Sequence, residues 1–154
     1  MQMDYAVYEM EIGKICIRYS KDVVLSIKKI NTESHDEGTK TELTEKVYSQ
    51  LLEYFAGNRK VFKFAYNLKG TEFQKRVWNA LCDIPYGETR TYKEIACAIG
   101  NEKACRAVGM ANNKNPISIV VPCHRVIGAN GKLVGYAGGL EMKERLLNLE
   151  RKNK

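Results

Sequence analysis

Cys123 and His124 place a thiol and an imidazole next to each other, directly after the apolar run Ile117, Ile119, Val120 and Val121. A thiol is a poor nucleophile until it loses its proton, and at its ordinary pKa of about 8.5 it is only a few per cent thiolate at neutral pH. Something nearby must take the proton. His124 is the natural candidate. Adjacent side chains do not face each other in regular structure, so the expected route is a relay through a bridging water and not direct contact. The dipeptide alone also fits plain core filling, and the chemistry depends on what the rest of the chain places around it.

The chain has 154 residues, 44% of them apolar and 28% charged, which is enough to bury a core in one or two small domains. No apolar stretch approaches the roughly 20 residues of a membrane span, and Met1 to Asp4 lacks the basic and apolar blocks of a signal peptide, so a cytoplasmic protein without a membrane is expected. The five cysteines, Cys16, Cys82, Cys97, Cys105 and Cys123, are odd in number and lack paired spacing. That argues against a disulfide framework or a zinc ribbon, and with two histidines no metal or other cofactor is expected. Charge is uneven. Residues 1–70 carry 11 Lys+Arg against 10 Asp+Glu, whereas 71–154 carry 14 against 8. The part that holds Cys123 is therefore the basic one, which suits either solubility or a phosphate-rich partner.

Residues 1–70 read as a small α+β domain. Asp4 to Met10, Ile12 to Tyr19 and Val23 to Ile30 have strand composition, with turns at Gly13 and at Lys21-Asp22. Glu42 to Phe55 spaces apolar residues on one helical face, and Val61, Phe62, Phe64 and Tyr66 predict a further strand. Residues 71–154 read as a mainly helical domain. Thr71 to Gln74 and Thr91 to Glu94 are capping boxes for helices ending near Pro85 and at Gly100. Asn101 would cap a third helix over Glu102 to Asn112, with Ala104, Ala107 and Val108 inward, and the pair joined at Gly100 has the form of a helix-turn-helix. Asn115-Pro116 ends it. A tight turn at Gly128 to Gly131 lies between short extended pieces, and a last helix runs from Leu140 to Glu150. Cys82, Cys97 and Cys105 fall in helical patterns and are expected in the core.

Asn115-Pro116, Pro122 to Val126, Gly138-Gly139-Leu140 and the helix from Lys143 to Glu150 together are specific. From about Thr71 to Glu150 the chain resembles the O6-alkylguanine-DNA alkyltransferases, also called methylated-DNA-protein-cysteine methyltransferases. The resemblance implies an α/β protein in two parts: an N-terminal domain of ribonuclease-H-like outline and a C-terminal domain with a winged-helix-like helix-turn-helix. It implies that Cys123 accepts the alkyl group once and irreversibly, with His124 relaying its proton through water to Glu150. Asn115 would be a hinge, and Lys143 would support the proton network. Arg106 would fill the place of a flipped nucleotide, and Tyr92 would crowd the neighbouring phosphate and donate a hydrogen bond to the guanine ring. Lys93, Asn101, Lys103, Ala104 and Cys105 would join them at the DNA. The pocket would be lined by Val126, Tyr136, Ala137, Gly138 and Ser118, with the carbonyls of Cys123 and Val126 reading the exocyclic amine. The implied partner is duplex DNA carrying O6-alkylguanine, with O4-alkylthymine as a further substrate, and the protein would act as a monomer.

Ala137 stands where several members have serine, and Ser118 where some have proline, which bears on bulky adducts and not on the reaction. Some relatives hold zinc in the N-terminal domain, but Cys16 and His35 alone do not make that site. Two other readings remain open at this point: a cysteine hydrolase using Cys123, His124 and Glu150, and a damage-recognition protein that binds alkylated DNA without repairing it. Lowering the thiol pKa to about 5 would raise its thiolate content some thirtyfold at pH 7. That is worth roughly 2 kcal/mol, too little without precise positioning.

Overall fold

A computed structural model describes residues 3–136 and 138–154. The chain forms an α/β protein in two compact units, residues 1–69 and 70–154. In the first unit, β1 (Asp4–Met10), β2 (Gly13–Ser20) and β3 (Val23–Ile30) make an antiparallel sheet in the order β1-β2-β3. The β1–β2 turn falls on Glu11 and Ile12, one place earlier than the sequence predicted, because Gly13 opens β2 with φ +118°, a conformation an L side chain resists. Helix α1 (Glu42–Phe55) is capped by Thr41 and buries Val47, Leu51 and Tyr54.

The strand expected at Val61 to Tyr66 does not form. Val24 alone bridges to this segment, accepting from the Asn67 N–H and donating to the Ala65 carbonyl. Further along, the Gln50 side chain takes both backbone groups of Lys63, at 2.8 and 3.0 Å. The aromatic residues still pack, Phe62 against Tyr54 and Phe64. Their alternation reflects that packing and not a ladder.

The second unit holds α2 (Glu72–Cys82), β4 (Arg90–Thr91), α3 (Tyr92–Ala98), α4 (Cys105–Asn113), β5 (Val126–Ile127) and α5 (Leu140–Lys152). Both capping boxes form, at Thr71 with Gln74 and at Thr91 with Glu94. Helix α4 starts later than predicted. Its N-cap is Ala104, without a side-chain bond, because Asn101 instead closes a turn through its carbonyl, which accepts from the Ala104 N–H. Ala107 consequently faces solvent, while Val108, Ala111 and Asn112 face inward. Short β4 and β5 pair in parallel, Arg90 with Val126 and Thr91 with Ile127. After β5 the chain turns at Gly128 to Gly131, and residues 132–136 beyond the turn form no strand. That pairing ties the start of α3 to the segment just after Cys123.

Candidate active site

Helix α4 ends at Asn113, and the residues that follow are shaped by one side chain. Asn115 is buried; its Nδ2 donates to the Val121 carbonyl at 2.7 Å and its Oδ1 accepts from the Ile117 N–H at 3.0 Å. The loop between them carries Ile119 with φ +73°, buried. A β-branched residue in the left-handed region is strained by about 1–3 kcal/mol, and the surrounding contacts must hold it there. The chain then enters a 3-10 turn over Cys123–Arg125. Asn112 Nδ2 donates to the Cys123 carbonyl at 3.3 Å, which fixes that turn against α4.

Cys123 is 5% exposed. Burial pushes its thiol pKa up, opposed by the Asn115 side chain, the Lys143 charge and a hydrogen bond to Tyr136. Desolvation of the thiolate outweighs its donors and its nearby charge. The resting site therefore holds a protonated thiol.

His124 and Glu150 are fully buried and share a 2.6 Å contact between Nε2 and Oε2. The same carboxylate accepts from Arg125 twice, Nε to Oε1 at 2.7 Å and Nη2 to Oε2 at 3.0 Å, and from the Gly87 N–H at 3.1 Å. The remaining Arg125 nitrogen, Nη1, donates to the Ile84 carbonyl at 2.7 Å. The Arg125 guanidinium supplies the counter-charge to this carboxylate. Burial lowers the His124 pKa, and the Arg125 and Lys143 charges add to that against the pull of Glu150. The ring is thus neutral, with Nε2–H donating to Glu150. Its other nitrogen, Nδ1, is buried without a hydrogen-bond partner among the described residues. That nitrogen carries the lone pair a base needs.

Lys143 is also fully buried, donating to the carbonyls of Val126 and, at 2.9 Å, Val134. Burial lowers its pKa to about 8, with the Cys123 charge acting the other way. The Val134 carbonyl accepts from the Tyr92 hydroxyl at 2.8 Å, and Lys143 stands 5.9 Å from the Tyr92 ring. Tyr136 is half-buried, with its hydroxyl pKa raised by burial and by the neighbouring thiol.

The structure thus brings together Cys123, Asn115, Lys143 and Tyr136, and separately links His124 to Glu150. Ser118 is half-buried near the same turn, and Gly138 is exposed; Ala137 lies outside the described residues. Arg106, Lys93, Asn101 and Lys103 are exposed, and Ala104 and Cys105 half-buried. Cys82 and Cys97 are exposed, not core as expected, because each sits one residue past the buried position of its helix, Leu81 and Ala96, and so turns outward. Sequence reasoning missed Arg125 and Asn112. An arginine inside a buried run was the available signal for the first, since such a charge is rarely buried without a partner. A polar residue at the inward spacing of α4 was the signal for the second. Among the described residues no group of His, Cys, Asp and Glu is arranged to hold a metal, and no helix is long and apolar enough to cross a membrane.

Residues 72–152 match the family described as 6-O-methylguanine DNA methyltransferase, DNA binding domain. A methylated-DNA-protein-cysteine methyltransferase of Methanosarcina acetivorans is 54% identical over 96% of this chain and 98% of its own length. One from Mycolicibacterium paratuberculosis is 48% identical over 98% and 94%. The crystal structure of Mycobacterium tuberculosis O6-methylguanine methyltransferase superposes with a TM-score of 0.89 at 42% identity, covering 99% of this chain and 95% of that one. The same TM-score, 0.89, holds for Mycobacterium tuberculosis OGT in complex with DNA, at 45% identity and 97% and 93% coverage.

Proposed function

The chain belongs to the methylated-DNA-protein-cysteine methyltransferase family, and from that premise we propose that it repairs O6-alkylguanine in duplex DNA by moving the alkyl group irreversibly onto Cys123. The observation that carries this reading is a buried thiol followed directly in the chain by the buried His124, whose Nε2 is anchored on Glu150.

Cys123 Sγ attacks the alkyl carbon in line with the departing guanine O6; an S–C bond forms and the C–O bond breaks. The thiol proton passes through water to His124 Nδ1, and Glu150 stabilises the imidazolium. Guanine takes up one proton as its ring returns to the keto form, which balances the proton lost by the thiol. Because burial holds the thiol protonated, deprotonation belongs to the encounter with substrate and not to the resting state. The larger contribution is alignment, for which effective molarities of roughly 10⁵ M or more are available. The thioether has no good leaving group, so each molecule acts once.

A base inside a duplex does not reach a thiol that is 5% exposed. The nucleotide must therefore leave the stack, at a cost of a few kcal/mol. In this reading α3 and α4 form the helix-turn-helix, α4 lies in the minor groove, Arg106 fills the vacated stack and Tyr92 crowds the phosphate beside it. The minor groove encodes base identity poorly, which suits a protein that inspects any sequence. The basic balance of residues 71–154, 14 against 8, supplies the phosphate attraction.

Intact mass after incubation with an O6-methylguanine duplex tests the reading. One adduct of about 14 Da, on Cys123 alone, is expected, with product equal to protein and then no more. Cys123→Ala should bind methylated duplex and transfer nothing. Continued turnover would replace the transferase with a cysteine hydrolase, and binding with no adduct on the parent chain would leave only damage recognition.

A further inference from the structure

Arg125 follows His124 in the 3-10 turn, yet it takes no part in the proton route from the thiol to the imidazole. Its side chain is buried and tied down at every nitrogen: Nε and Nη2 fork onto the two oxygens of Glu150 at 2.7 and 3.0 Å, and Nη1 donates to the Ile84 carbonyl at 2.7 Å. The Tyr86 ring lies 5.7 Å from the guanidinium, and the Gly87 N–H joins it on Glu150 at 3.1 Å. Arginine is almost never buried without a partner, and a paired arginine could serve the core alone. What sets this pair apart is its third member, since the same carboxylate holds His124 Nε2 at 2.6 Å.

A histidine on an isolated buried carboxylate gains a proton readily, because imidazolium and carboxylate cancel each other's charge. Such a ring is no longer a base. Here the guanidinium already cancels the carboxylate, so a proton on His124 would add an uncompensated charge to a fully buried group. The other ionisable groups around the cluster do not reverse this. Lys143, reaching in from α5, is a second cation; Cys123, just before the ring, is a thiol held protonated by burial; and Tyr86, from the turn after α2, is a phenol whose ionisation burial also opposes. Burial depresses the His124 pKa, and the upward pull of Glu150 is met by the Arg125 and Lys143 charges. We propose that Arg125 is a positioning residue for the transfer: its fork fixes the Glu150 carboxylate against His124 Nε2, and its charge keeps the ring a neutral base whose Nδ1 takes the thiol proton. The inference rests on the transferase reading above and deepens it by assigning the basicity of the relay to a residue outside the relay itself.

Two measurements test it. The first follows the histidine ring nitrogens by NMR as pH is varied; the chain has 2 histidines, so replacing the exposed one, His35→Gln, leaves only the signals of His124. The parent ring should stay neutral, with its proton on Nε2, from about pH 8 down to about pH 6.5. In Arg125→Met, which keeps much of the bulk and removes the charge, the ring should take up its second proton at a pH higher by about one unit or more. The second measurement is the single-turnover rate on O6-benzylguanine as the free base, which needs no duplex. Arg125→Met should be slower by about tenfold near pH 7, and the deficit should close as pH rises. Arg125→Lys restores the charge without the fork, so it should return the parent's pH profile at a reduced rate. A His124 ring that titrates alike in parent and Arg125→Met, or a rate deficit of the same size at every pH, overturns the proposal and leaves Arg125 to the core. A protonated His124 ring in the folded parent near pH 7 overturns it even where Arg125→Met does not fold. A parent that shows the neutral ring, and its shift in Arg125→Met, yet transfers no alkyl group overturns the transferase reading while bearing out the charge assigned to Arg125.

Discussion

The charged groups around Cys123 and those along the outer face of α4 are built in opposite ways. Glu150 is fully buried and accepts from His124, from Arg125 twice and from Gly87, and Lys143 is fully buried between two carbonyls. Arg106, Met110, Asn113 and Lys114 stand in solvent. In the inner cluster each group is held by several partners, so a change there leaves a buried charge uncompensated and disturbs chemistry and stability together. On the outer face a change alters only what the helix can touch. Substitutions should therefore separate into those that affect every substrate and those that affect only the duplex.

Glu150→Gln should have the largest effect and should reach both substrates. The Arg125 guanidinium loses its counter-charge in a buried site, costing about 3 kcal/mol of stability. His124 loses the carboxylate that raises its basicity, so transfer should slow by roughly a hundredfold or more on duplex and free base alike, the range of a lost general base. Single-turnover rates on the two substrates and a denaturant titration measure it. Equal stability with an unchanged rate would remove Glu150 from the relay. The same network sets a pH dependence. His124 has a folded pKa below its unfolded value of about 6.5, so the unfolded chain binds the proton first. Stability is complete above about pH 6.5 and is lost as pH falls from there toward the folded value.

Arg106→Ala comes next and should divide the substrates. Reaction with O6-methylguanine in duplex DNA should fall by about tenfold to a hundredfold, because under the proposed function the vacated stack is left empty at a cost of a few kcal/mol. O6-benzylguanine needs no flipping and should react at the parent's rate. Equal losses on both would show that the outer face is coupled to the inner cluster after all.

The contrast also governs what the sequence made legible. Helices α1, α2, α3 and α5 were readable because each carries local signals, a capping residue or an apolar stripe, that packing then reinforces. The start of α4 was misplaced because an asparagine after glycine looks like an N-cap, and only the fold decides whether its side chain or its carbonyl is used. The segment from Val61 to Tyr66 has strand composition, but Gln50 and Val24 take its backbone groups, and neither is near it in sequence. At the site, residue types announced Cys123 and His124, and the family resemblance supplied Glu150, whose place beside Arg151-Lys152 looks like solvated surface. Burial and partner choice are properties of the assembled unit. For that reason the carboxylate's second partner, Arg125, and the upward direction of the thiol pKa were not legible in the chain.

The smallest expected effect compares two identical caps. Thr71 and Thr91 each accept from the N–H three residues on, at 3.1 Å in both boxes, while Gln74 and Glu94 return the bond to the cap's own N–H. Replacing either threonine with alanine removes one such bond and should cost about 1 kcal/mol, seen as a fall of some 4 °C in melting temperature. Their consequences for function should differ. Thr91 precedes a helix of only seven residues whose first residue is Tyr92, and β4 ties that start to the segment after Cys123. A helix this short has little stability of its own, so fraying at its cap displaces Tyr92 before it unfolds the unit. Thr71 caps α2, whose first turn holds no residue of the site. Thr91→Ala should therefore slow the duplex reaction by about twofold to fivefold, the scale of 1 kcal/mol partly expressed in Tyr92, while Thr71→Ala leaves it unchanged at the same loss of stability. Equal duplex rates for the two variants would mean that α3 is held by its packing on α4 and not by its cap, and that the position of Tyr92 does not depend on the Thr91 hydroxyl.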